Sequence, residues 1–344
     1  MARKEEILFL SHNVRHQRCH YLISTLNQEH QVVIPSRIAK TSSRLSLSAG
    51  SASNMLYLGL SAFGQQRPMH LDGIDVFIHP FMRNGKYLHD YHVPLVDELR
   101  WLGLDAMAAI AYALLPDSIS KANVVIAPNV EMLADAAKYT KLPEYYIIPN
   151  YPPKSFHRDI KKEEARASLG IPASETMALF VGGARLESIY GIHLLIKTWK
   201  EVTRKRDAKL YVVGPKNQLP FTPDIYTKLK RKGIIFTGKR VHTQIPIWIA
   251  AADLCLSQRT PGFPVRFYNI HDSLKLSEYA LFEKPIVAAG YSEHPDYISS
   301  KTDVESYSDA ILRGFDGEAP KPTPHTWEEN IPKIKKAYET LANS

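Results

Sequence analysis

The sequence predicts an α/β protein made of two doubly wound, Rossmann-like domains. Short apolar strands alternate with loops and amphipathic helices through both halves, the pattern of parallel sheets. The chain's 344 residues amount to about two domains at the usual size, and 44% hydrophobic residues can fill two cores. A proline-rich stretch, Pro149-Asn150-Tyr151-Pro152-Pro153, falls near the middle and reads as a stiff connector, because closely spaced prolines cannot propagate a helix or a central strand.

In the first half, strands are expected at Ile7–Leu10, Gln31–Ile34, Ile74–Ile78, Val124–Ala127 and Tyr145–Ile148. In the second they are expected at Met177–Val181, Lys209–Val213, Ile234–Thr237, Leu254–Ser257 and Pro285–Ala288. The domains so defined are residues 1–150 and 151–325, with residues 326–344 forming a terminal amphipathic helix around Trp327–Leu341. Lys161–Gly170 reads as a short charged helix closed by Gly170, which takes the left-handed position at little steric cost. Ser42–Ser53, serine-rich and poor in large apolar side chains, reads as a mobile loop. Leu102–Leu115 is apolar but too short to span a bilayer, so it is either a core helix or a surface helix that dips into lipid.

Composition narrows the partners. Cys19 and Cys255 form neither a disulfide framework nor a zinc knuckle, which suits a reducing compartment. Ile7–Leu10 is too short for a signal peptide, and no run of about 20 apolar residues follows. The expectation is a cytoplasmic protein. Its net charge of +8 favours phosphate-bearing partners, and the basic runs Lys197–Lys209 and Lys228–Lys232 are either solvated helix faces or a patch for the inner membrane face. The aromatics are not interleaved with those runs as on a stacking platform, so nucleic acid is not expected.

Open parallel sheets bind ligands at the carboxyl ends of their strands, so the loops there are expected to face one another across a cleft. Phe180-Val181-Gly182-Gly183 is a strand ending in two glycines, ahead of a helix expected near Gly191 whose N–H groups can meet phosphate. A plain tight turn is the alternative, since the full G-x-G-x-x-G fingerprint is missing. Val212-Val213-Gly214-Pro215-Lys216, Phe236-Thr237-Gly238-Lys239-Arg240, Ala251-Ala252-Asp253-Leu254 and Ser273-Leu274-Lys275-Leu276-Ser277-Glu278-Tyr279 follow in order, ahead of Glu283-Lys284-Pro285-Ile286-Val287-Ala288.

This order and spacing resembles the C-terminal domain of the family 4 retaining glycosyltransferases, from about residue 145 to the end of the chain; the first half resembles it only in layout. The resemblance implies a GT-B fold and sugar transfer from a nucleotide-sugar, UDP-sugar favoured and GDP-sugar allowed, to a saccharide or lipid-linked saccharide. It implies no metal and no further cofactor, and a terminal helix that braces the first domain. Glu278 inherits the ribose contact, and an ionised carboxylate can indeed accept from both hydroxyls of a diol. Lys275, three residues earlier on one helix face, inherits a phosphate contact. Gly182, Gly183, Gly214, Lys216, Val241, Asp272, Ser273 and Leu274 complete the expected donor site.

The chain departs from the family where cations are expected on the diphosphate: those positions read Gly183 and Tyr190. Arg185, with Lys275 and with Lys239, Arg240 or Arg266, is then needed to stabilise the leaving group. The acid that contacts the donor sugar, eight positions before Glu278, is Ile270, leaving His271 or Asp272 as substitutes.

In the first half, His12, Asn13 and Arg15 follow the first strand and are candidates for donor diphosphate or acceptor contacts, the acceptor being preferred. His12, His16 and His20 stand at four-residue steps, but lack the H-E-x-x-H pattern of a zinc site. His92 and Asp90 are the candidates beside the reacting sugar, with helix capping the alternative for Asp90. Two further readings of the whole remain: a nucleotide-sugar-binding protein without transferase activity, and an epimerase on the same fold.

Overall fold

The computed structural model describes residues 5–11, 17–35, 57–82, 85–183, 189–215 and 221–344. The chain folds into two compact units, Met1–Asn150 with Glu329–Ser344, and Tyr151–Glu328.

The first unit is built on a parallel six-stranded sheet of order β2-β1-β3-β4-β5-β6. Its strands are β1 (Glu6–Leu10), β2 (Gln31–Val33), β3 (Met69–Asp72), β4 (Tyr87–Asp90), β5 (Val124–Ala127) and β6 (Glu144–Ile147). Two of these, β3 and β4, were not expected, and the expected strand at Ile74–Ile78 is instead part of a 3-10 helix, Gly73–Phe81. The reason is local. Asp72 Oδ1 accepts the N–H of Ile74 and turns the chain out of the sheet just where the apolar run begins. The true strands, MHLD and YLHD, carry polar side chains that are buried only because tertiary partners satisfy them.

Helix α1 (Gln17–Leu26) follows β1; α2 (Leu95–Trp101) and α3 (Asp105–Ser120) follow β4. Helix α3 is neither fully core nor fully surface: Ala108, Ala111, Leu115 and Ile119 are buried, while Ile110 and Tyr112 are about half exposed. Helix α4 (Val130–Ala136) is capped by Asn129, whose side chain accepts from Met132 N–H. The last helix, α11 (Ile331–Asn343), lies against β4, β5, β6 and α1. Its Tyr338 hydroxyl lies 2.5 Å from His70 Nδ1, and Asn330 Nδ2 donates to Pro149 O at 2.9 Å.

The second unit repeats the plan with order β12-β11-β10-β7-β8-β9, also parallel. Strands β7 (Met177–Val181), β8 (Lys209–Val213), β9 (Ile234–Gly238), β10 (Leu254–Gln258) and β11 (Ile286–Ala289) fall where expected. The addition is the short edge strand β12 (Ile298–Ser300), whose three residues give too little apolar pattern to read, so each sheet has six strands rather than five. Helix α5 (Lys162–Leu169) ends on Gly170 at φ 68°. Helix α6 (Ile192–Lys205) buries Ile192, Leu195, Ile196, Trp199 and Val202, the stripe a helix turns toward a sheet, and packs beside α10 (Val304–Phe315). Helices α7 (Pro223–Arg231), α8 (Ile245–Ala251) and α9 (Leu274–Leu281) complete the unit.

Motif residues that look chemical prove structural here. The Asp253 carboxylate accepts from Arg166 Nη2 and from Met177 N–H, both at 2.7 Å, tying α5 to the start of β7. The Lys284 ammonium donates to the carbonyls of Ala250 and Ala252 at the end of α8. At the carboxyl edge of the sheet the backbone approach is very close: a Cβ on Gly214 would stand 1.9 Å from Gly182 O, so no other residue fits.

Candidate functional site

In the second unit the site is built where β7, β10 and α9 meet. Val181 N–H, the last of β7, donates to the buried Tyr279 hydroxyl at 2.9 Å, fixing α9 against the strand end. That anchor sets the two residues that precede it on the helix. Glu278 is 5% exposed, and His242 Nε2 donates to its Oε1 at 2.7 Å. Burial pushes the Glu278 carboxyl up, against the pull of His242 and Lys275. The His242 ring is itself stacked on Phe156, centroids 4.8 Å apart.

One helical turn earlier, the Lys275 ammonium is buried with no hydrogen-bond partner among the described residues. It lies over the rings of Phe180 at 4.1 Å and Tyr190 at 4.6 Å, and a Cβ on Gly182 would stand 3.0 Å from it. Burial holds its pKa well below the ordinary lysine value, the nearby Arg259 lowers it further, and Glu278 works the other way. An ammonium kept from water without an acceptor is a donor set waiting for an anion.

Arg259 is the residue sequence reasoning missed. It follows directly on β10, is 5% exposed, and its Nε finds no hydrogen-bond partner among the described residues. Its guanidinium lies between the rings of Phe263, Tyr268 and Tyr291 at 5.2, 4.6 and 4.8 Å, with Asp272 Oδ2 3.8 Å from Nη2. Gly191, at φ 53°, opens α6 with its backbone against Arg259: a Cβ there would stand 2.6 Å from Arg259 O. The signal available in the sequence was position alone, a cation at the carboxyl end of a central strand. His242 was missed for the same reason, as one more polar residue after β9.

The remaining donor candidates divide. Asp272 is partly buried and Ser273 buried at the start of α9, Leu274 is its first residue, and Gly182, Gly183 and Gly214 form the close-packed edge. Arg240 lies over Trp248 at 5.9 Å and donates to Thr237 O; Arg266 lies over the neighbouring Phe267 at 4.5 Å. Lys239 and Val241 are exposed. No contact of these four with Lys275 or Glu278 is seen among the described residues. Ile270 is buried, its carbonyl accepting from Ser277, and His271 hydrogen-bonds Tyr151. Arg185 and Lys216 lie outside the described residues.

In the first unit, His12, Asn13, Arg15 and His16 lie outside the described residues, as does Ser42–Ser53. Asp90 does not cap a helix. It ends β4 and accepts from Arg18 Nε and Nη2 at 2.8 Å each, both side chains 1% exposed, while Arg18 Nη1 donates to Ile148 O and Asn150 Oδ1. His92 lies 3.6 Å from both Asp72 and Asp90. Burial would keep this imidazole neutral, but the two carboxylates outweigh it and raise its pKa to about 9. Asp72 in turn accepts from Ser11 at 2.6 Å and from Cys19 at 3.5 Å. Among the described residues no His, Cys, Asp and Glu group of three or more is arranged to hold a metal.

Two doubly wound units, each on a parallel six-stranded sheet with interleaved helices, have the architecture of the GT-B class of glycosyltransferase folds. Residues 175–315, which contain Gly182, Gly214, His242, Arg259, Lys275 and Glu278, match the model of the family described as Glycosyl transferases group 1. The chain superposes on sucrose-phosphate synthase of Thermosynechococcus elongatus with a TM-score of 0.75, at 15% identity over 99% of this chain and 100% of that one. It also superposes on HepE of Anabaena in complex with UDP-glucose (TM-score 0.61, 15% identity, 98% and 100% covered). The UDP complex of S. aureus MnaA gives a TM-score of 0.62 at 13% identity, with 99% and 98% covered. At such identities the likeness shows the fold. No curated protein matches the chain by sequence.

Proposed function

We propose that this chain is a retaining glycosyltransferase that takes a hexosyl group from a nucleoside diphosphate sugar, a UDP-sugar in the first instance and a GDP-sugar as the second choice. The observation that carries the reading is the buried pair on α9: a carboxylate, Glu278, able to receive ribose hydroxyls, and one turn away an ammonium, Lys275, with no acceptor of its own among the described residues. Departure of the nucleoside diphosphate raises negative charge at the diphosphate, and side-chain cations held in place beforehand stabilise it without reorganisation. The reading therefore includes no metal. UDP-glucose and UDP in the HepE and MnaA complexes support the choice of base.

The acceptor is a saccharide or a lipid-linked saccharide, and in this reading His92, His12, Asn13 and Arg15 serve it from the first unit, while Asp90 is held in its buried ion pair with Arg18. The test is incubation with UDP-glucose, UDP-galactose, UDP-N-acetylglucosamine and GDP-mannose, with release of nucleoside diphosphate as the readout. At least one donor should be hydrolysed slowly, and Glu278→Gln should weaken its binding roughly 10- to 100-fold, the worth of a charge-assisted hydrogen bond. Inertness toward all four, with no nucleotide binding by calorimetry, overturns the reading.

A peripheral membrane site is proposed on a separate observation. Residues of the two basic runs, among them Lys200, Arg204, Arg206, Lys209, Arg231 and Lys232, line one cavity of about 380 Å³ together with Asp207. Arg204 and Arg206 are partly neutralised by Glu201 and Asp316, but the lining stays basic. Vesicles with phosphatidylglycerol should sediment the protein at low salt and release it at about 0.5 M, where the Debye length shrinks below about 5 Å. Equal behaviour on neutral vesicles removes this part of the proposal.

A further inference from the structure

We infer that Arg259 supplies the second cation of the donor's diphosphate site, in place of the basic residues that Gly183 and Tyr190 fail to provide. The inference rests on the donor reading above. Its ground is that two cationic groups, Lys275 Nζ and Arg259 Nε, are buried in one small region with N–H donors unfilled among the described residues. Tyr190 links them: its ring lies 4.6 Å from Lys275 Nζ, and its carbonyl accepts from the side chain of Gln258, the residue before Arg259.

Burying two cations together is costly, since each is desolvated and each repels the other. Glu278 is already engaged with His242, and Asp272, 3.8 Å from Arg259 Nη2, is beyond hydrogen-bond distance. The aromatic rings around Arg259 hold its charge, and its Nε keeps an N–H with no partner among the described residues. The start of α6 adjoins the same place. This helix has 14 residues and no side-chain cap, and its N-cap Gly191 is packed against the Arg259 carbonyl. A dianionic or trianionic diphosphate fits this donor set: ammonium, guanidinium and backbone N–H groups from three elements. A purely structural Arg259 would serve the loop that follows β10, and would leave no reason for the unfilled donors.

The experiment is calorimetric titration of the wild type, Arg259→Gln and Arg259→Lys with UDP, uridine and inorganic pyrophosphate. The expected result is a roughly 10- to 100-fold loss of UDP and pyrophosphate affinity in Arg259→Gln, with uridine changed less than about twofold. Arg259→Lys, which keeps the charge and guards against loss of the fold, should lie between. Equal losses for UDP and uridine, or no loss for either, overturn the assignment. Pyrophosphate binding that depends on Arg259 without any UDP preference supports the anion site while removing the donor reading. A wild type that binds none of the three overturns both.

Discussion

At the scale of single residues, three buried histidines of the first unit sit in opposite electrostatic states within one sheet. His70 and His89 have their pKa lowered to about 4, chiefly by burial, while the carboxylates beside His92 raise it to about 9. The signs differ, and so do the pH windows. His92 stabilises the fold fully below its unfolded value of 6.5, and that contribution is lost as pH rises through about 9. His70 and His89 are neutral when folded, so stability falls as pH drops from 6.5 toward about 4, where the unfolded chain binds protons that the folded chain refuses. Urea midpoints should therefore peak near neutrality and decline on both sides, and His92→Gln should flatten the alkaline limb, a difference on the order of 3 kcal/mol at most. A midpoint that climbs from pH 6.5 to 9 in the wild type would refute the sign.

The same scale explains the Arg18–Asp90 pair. Both side chains are 1% exposed, so removing one strands the other's charge. Arg18→Met should cost about 3–5 kcal/mol in chemical denaturation, and adding Asp90→Asn should recover part of it; a loss under about 1 kcal/mol would show the pair to be dispensable.

At the scale of elements, the helix α9 shows how one motif serves two ends. Tyr279 fastens the helix to the end of β7, and that fastening sets Glu278 and Lys275 in the site. Replacing Tyr279 by Phe should leave folding largely intact while loosening the site, so donor KM should move before the thermal midpoint does. Gly214→Ala tests the packing of β8 against the end of β7. A Cβ 1.9 Å from a backbone carbonyl cannot be relieved by a side-chain rotation, so a loss of about 1–3 kcal/mol or more is expected in thermal unfolding. An unchanged midpoint would mean that the strand ends separate easily.

At the scale of the whole molecule, the first unit is discontinuous. It needs Glu329–Ser344 from the far end of the chain, whose Ile334, Ala337, Tyr338 and Leu341 are at most 1% exposed. Ending the chain after Glu328 should remove the cooperative unfolding of the first unit, while the second, contiguous from Tyr151, keeps its own transition in calorimetry. Loss of both transitions would show the division to be wrong as an account of stability.

Most of the second unit was legible in the sequence. Its strands are apolar runs whose burial needs no special partner, and the spacing around Lys275 and Glu278 is a local property of one helix and the strand that follows. In the first unit the strands β3 and β4 were hidden, because His70, Asp72, His89 and Asp90 look like surface or catalytic residues until Arg18, Ser11, Tyr338 and Ser118 are seen to satisfy them. The sequence by itself determined the doubly wound α/β class, the positions of five strands in the second unit and the helix that holds the carboxylate and the ammonium, since periodicity and spacing are written along the chain. Only the tertiary structure decided which cation stands beside Lys275. Arg259 follows β10 whereas Lys275 stands on α9, and distance in space, burial and the lack of an acceptor among the described residues exist only once the chain is folded.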